Sequence, residues 1–127
     1  MLAIAAWAVR GYVFQQNIDE SSRVGISSNV RVSVDDGTGT PIAGEIVASG
    51  TVLDAIQVFA EKNNLSFEIK TYSGMGTLVT RIGGKKNGTS GAYWQYWLNG
   101  IYATSSANSV AVRPGDRIEW KFSDSAQ

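Results

Sequence analysis

The chain has 127 residues, 43% hydrophobic and 17% charged, the size and make-up of one globular domain that buries a core without staples. Lys plus Arg number 11 and Asp plus Glu number 11, and the densest basic cluster is Lys85-Lys86; without a basic face to displace counterions, a nucleic-acid partner is not expected. Neither His nor Cys occurs, which removes Cys nucleophiles, His-based triads, thiolate zinc sites and disulfides together.

Residues 1–14 are apolar, with Ile4, Trp7, Val9, Tyr12, Val13 and Phe14 set among alanines and Arg10 as the one charge. The run is shorter than the roughly 20 apolar residues that span a membrane, and it lacks the basic start of a signal peptide. Three readings stay open. It is the remnant of a membrane anchor, an assembly element that packs on a neighbouring subunit, or a short element of the domain. Residues 15–29 are polar and read as a linker, and the domain is expected from residue 30 to residue 127.

Val30, Val32 and Val34 alternate with Arg31, Ser33 and Asp35, the pattern of a half-buried strand. Asp36-Gly37-Thr38-Gly39-Thr40-Pro41 is turn chemistry, and residues 42–48 complete a hairpin. Thr51 and Asp54 have the spacing of a helix capping box. Val52, Ile56, Phe59 and Ala60 then form one apolar stripe, and Asn63-Asn64 supplies a left-handed stop. Leu65, Phe67 and Ile69 mark a third strand, Gly74-Met75-Gly76 a turn, and residues 78–82 a fourth strand. Residues 83–91 carry four glycines and read as a loop. Residues 92–98 form a fifth strand, Asn99-Gly100 a two-residue hairpin turn, and residues 101–103 pair back. Arg113-Pro114-Gly115-Asp116 turns the chain into a last strand, in which Ile118, Trp120 and Phe122 alternate with Arg117, Glu119 and Lys121. Two strands, one helix and a run of strands give an α+β fold. A mostly antiparallel sheet packs on one amphipathic helix, in β-grasp manner.

Four blocks carry a resemblance. They are Thr51-Val52-Leu53-Asp54-Ala55, Tyr72-Ser73-Gly74-Met75-Gly76, Tyr93-Trp94-Gln95-Tyr96-Trp97-Leu98-Asn99-Gly100 and Pro114-Gly115-Asp116-Arg117-Ile118-Glu119-Trp120. In order and spacing, residues 30–123 resemble the DUF4430 domains of bacterial envelope proteins. These are similar to the C-terminal β-domain of the cobalamin carriers transcobalamin and intrinsic factor. The resemblance implies a β-grasp fold and an extracytoplasmic, cell-surface or secreted location, and no activity. In the carriers this β-domain closes over a ligand held by a large helical domain. Cobalamin is thus one ligand the resemblance brings forward, beside a glycan; no other cofactor is expected.

The aromatic strand is the expected site. With Leu98, Trp94 and Tyr96 directed to the core, Tyr93, Gln95 and Trp97 face away from the helix as an apolar patch with a polar centre. Such a face suits a small molecule, a sugar ring or a protein partner. Asp35-Asp36 opens a glycine turn without the one-in-two acid spacing of a calcium loop. No glycine pair is followed by the Lys-Ser/Thr of a phosphate loop. Asn87-Gly88-Thr89 and Asn64-Leu65-Ser66 are glycosylation sequons. No acid–base constellation stands out, so the expectation is a non-enzymatic binding module. Its alternative is a structural subunit of a surface filament, self-assembling through residues 1–14.

Overall fold

A computed structural model of the chain describes residues 28–124. The six apolar residues Ile4, Trp7, Val9, Tyr12, Val13 and Phe14 lie outside the described residues, as does residues 15–27 of the expected linker. The elements in order are β1 (Ser28–Asp35), β2 (Ile42–Ala48), α1 (Val52–Lys62), β3 (Phe67–Tyr72), β4 (Gly76–Ile82), β5 (Lys85–Lys86), β6 (Tyr93–Leu98), β7 (Ile101–Tyr102) and β8 (Arg117–Ser123). β1 starts two residues before the expected domain boundary, because Ser28 and Asn29 already pair with Ala48 and Val47 of β2.

The helix is closed at both ends by its own sequence. The Thr51 hydroxyl accepts from the Asp54 N–H, and the Asp54 carboxylate accepts from the Thr51 N–H, a complete capping box. At the other end Asn64 takes φ +56°. Leu65 N–H then bonds the Ala60 carbonyl at 2.8 Å and Asn64 N–H the Glu61 carbonyl at 3.3 Å, which is a Schellman stop. Between them Val52, Ala55, Ile56, Phe59 and Ala60 are buried, each large side chain contributing about 1.5–3 kcal/mol.

The expected sheet divides into two. The larger runs β2-β1-β8-β6-β7 and is antiparallel except where β1 and β8 lie parallel. The smaller runs β3-β4-β5. The parallel pair forms because the chain leaves β2 through the helix and returns beside β1 only at its end. Register puts Val30, Val32 and Val34 on one face with Ile118, Trp120 and Phe122, and with Leu98, Tyr96 and Trp94. A helix about 10 Å wide covers about two strands at their ~4.8 Å spacing. α1 accordingly packs on β1 and β2. The rest of that face, bearing the tryptophans, is met by β4 and by the segment after β7.

The smaller sheet owes its core side to one extra residue. Arg81 pairs with Glu68 and Val79 with Ile69, so Thr80 is left over as a β-bulge. The bulge reverses the alternation, and Val79 and Ile82 are both buried although three positions apart. The 83–91 segment is not all loop. Gly83-Gly84 turns it into β5, and a 3-10 turn follows at Thr89–Gly91. Lys86 at this hairpin meets Glu68 at 3.8 Å, beside the Arg81–Glu68 pair at 3.3 Å.

Candidate functional site

Side-chain hydrogen bonds help to hold the two sheets together. The Asn87 amide donates to the Val79 carbonyl at 3.0 Å, and its oxygen accepts from the Trp94 N–H at 2.8 Å. It thus stands in for a strand residue between β4 and β6. Ser106 does the same nearer the β3–β4 turn: its hydroxyl accepts from the Thr77 N–H at 3.0 Å and donates to the Thr77 carbonyl at 2.9 Å. Gly76 makes this approach possible. A Cβ there would stand 2.7 Å from the Ser106 hydroxyl, and φ is +90°.

A groove of about 610 Å³ opens where β4, β6 and the segment after β7 meet. Trp94, Tyr96 and Trp120 line its depth, and Tyr72, Met75 and Leu78 its rim. The rim is unusually bare: Met75 is 80% exposed, Leu78 43% and Tyr72 41%. Tyr96 stacks tilted on Trp120 with centroids 4.9 Å apart, and its hydroxyl donates to the Ser105 carbonyl at 2.9 Å. Burial raises the Tyr96 pKa above the ordinary tyrosine value, so the hydroxyl stays neutral. The Trp94 indole donates to the Lys85 carbonyl at 2.9 Å. A smaller cavity of about 210 Å³ shares Tyr96 and residues 102–105 with the groove.

The opposite face of the larger sheet carries the residues expected from sequence. Tyr93, Gln95 and Trp97 do point away from the core, with Tyr93 53% exposed. Gln95 and Trp97 are half-buried, because the hairpin and β8 wall them in. The Asn99-Gly100 turn, with φ of +52° and +84°, sets Tyr102 opposite Trp97. The two rings meet edge to face at 5.2 Å, and the Tyr102 hydroxyl donates to the Gln95 oxygen at 2.9 Å. The Gln95 amide nitrogen donates to the Ser123 carbonyl at 3.3 Å. Lys121 lies over the Trp97 ring at 4.8 Å. Its alternation with Glu119 places Lys121 on this face, where it makes a cation–π contact. This face is a partly covered aromatic platform.

Of the groove's lining, sequence reasoning named only Gln95 as a site residue. Trp94, Tyr96 and Trp120 read as plain core residues, and the exposure of Met75 depends on how the β3–β4 hairpin leans. The Tyr72-Ser73-Gly74-Met75-Gly76 block was the one available signal. Asp35 and Asp36 are spent on their own turn, accepting from the Gly37 and Thr38 N–H groups at 2.9 Å. Among the described residues no group of three or more acids is placed to hold a metal ion, and no helix is long and apolar enough to cross a membrane.

The profile of a family described as a domain of unknown function, DUF4430, matches residues 49–124. No curated protein matches the sequence. Among solved structures, a proposed metal-binding protein from Ruminococcus gnavus is similar with a TM-score of 0.60 at 19% identity, over 77% of this chain and 98% of that one. Haptocorrin in complex with Cbi is similar with a TM-score of 0.64 at 21% identity, over 85% of this chain and 27% of haptocorrin. At these identities the likeness establishes the fold.

Proposed function

We propose that this chain, which belongs to the DUF4430 family, is a non-enzymatic binding module of an extracytoplasmic protein that holds a small molecule in the groove between its sheets. One observation carries the reading: a concavity of about 610 Å³ with an aromatic floor and an exposed apolar rim. Small-molecule sites are concave, mostly apolar and ~300–1,000 Å³ in volume. A methionine left 80% exposed beside such a space adds apolar surface that folding does not use.

Haptocorrin, solved with Cbi, makes a cobalamin-like molecule the first candidate. The groove lining holds no acid, so a metal ion is not the ligand proposed there. The Tyr93, Gln95 and Trp97 platform is kept for a glycan or protein partner. Residues 1–14 then tether the module, and the extracytoplasmic location follows the resemblance to envelope domains.

Amide cross-peaks followed while Cbi and neutral aromatic fragments are added to the full chain test the reading. Shifts are expected at residues 77–79 and 103–107, with affinity falling at least tenfold in Met75→Glu. Shifts confined to Tyr93 and Trp97 would move the site to the opposite face and overturn it.

A further inference from the structure

Every residue lining the groove is uncharged. A charged ligand there would lose hydration without meeting a counter-charge, which favours neutral molecules. Among the described residues, Trp120 Nε1 is the one buried side-chain nitrogen or oxygen without a hydrogen-bond partner. Trp120 is 3% exposed and lines the groove, while its Nε1 is itself closed to solvent, so that an acceptor reaches it only as the ring shifts. The neighbouring Trp94 indole and Tyr96 hydroxyl show the usual state, each donating to a backbone carbonyl.

A donor buried unpaired is a cost that a bound acceptor relieves. We infer that the part of the ligand that enters the groove is neutral and largely apolar and bears a carbonyl oxygen, and that Trp120 Nε1–H donates to that oxygen. The inference rests on the groove being the binding site. It adds the class of ligand and the residue that orients it. The apolar body lies along Tyr96 and Met75, and the unpaired donor fixes which end enters first. Selectivity follows from the same geometry. A carboxylate meets no cation there, and a hydrocarbon leaves the donor unpaired.

Prodan, a neutral naphthyl ketone, is a suitable probe. Its partners are the same molecule with the carbonyl reduced to methylene, and the naphthoate anion. Each is titrated into the isotope-labelled full chain, with the Trp120 indole cross-peak assigned through its contacts to the Tyr96 ring. Prodan is expected to bind about fivefold to tenfold more tightly than the methylene analogue, to exceed naphthoate, and to move the Trp120 indole proton downfield. Equal binding of Prodan and the methylene analogue, with the Trp120 indole unmoved and groove amides shifted, would leave the groove as a site and overturn the anchor. Tighter binding of naphthoate would overturn the neutral class. If no probe shifts the groove amides, the groove reading fails, and this inference with it.

Discussion

Single residues decide the ends of the elements more than their middles. Thr51 and Asp54 satisfy each other's backbone at the start of α1, so Thr51→Ala is expected to cost about 1 kcal/mol, read as a lower denaturation midpoint at unchanged slope. Asp36 offers a charge-based counterpart. The Thr38 hydroxyl, and then the Thr38 N–H, hold its carboxyl below the ordinary aspartate value. A lowered value means stabilisation that is present above the unfolded-state pKa and lost as pH falls through the folded one. The carboxyl lies at the surface, so the stability effect is small and the titration itself is the better readout. Thr38→Val should raise the Asp36 midpoint toward the ordinary value in a pH titration of its side-chain resonances. Both motifs were legible in the sequence, because a cap and an Asx turn involve only near neighbours.

At the scale of elements, the joints between sheets matter most. Asn87 serves two backbone groups, on β4 and β6. Asn87→Ala leaves a part-buried N–H and a part-buried carbonyl without partners, at ~2–4 kcal/mol together. Faster hydrogen exchange at Trp94 than at Ile118 would locate the loss in that joint. The sheet edges bear on the alternative of a filament subunit. Arg31 N–H points to Asp116 on the β8 side, so the Glu45 groups opposite it face outward from β2. Lys62 Nζ donates to that Glu45 carbonyl at 3.1 Å. The bulge at Thr80 lies on β4, the middle strand of the smaller sheet, and leaves the outer edge of β3 unchanged. A capped carbonyl discourages strand addition at the β2 edge, which supports binding over assembly there. Strand order and bulge were not legible in the sequence. Alternation identifies a strand's faces without naming its neighbour, and an extra residue shows only against its partner.

For the whole molecule, the question is which face does the work. If the groove is the site, Trp97→Ala should leave Cbi or fragment affinity within about twofold, while stability falls by about 1–2 kcal/mol through the lost Tyr102 and Lys121 contacts. Loss of binding with the fold intact by circular dichroism would restore the platform as the site. Composition and period alone determined the class: one α+β domain, its helix and caps, the two faces of β6, and the absence of thiol and imidazole chemistry. These are local properties, carried by residue type and by spacing of a few positions. Only tertiary structure decided that the strands make two sheets, and that α1 leaves the tryptophan half of the larger one to β4 and the segment after β7. The same packing walls in Gln95 and Trp97, and leaves the Trp120 indole unpaired beside a groove. Each depends on contacts between residues far apart in the chain, where the same apolar side chain serves equally as core or as the wall of a site.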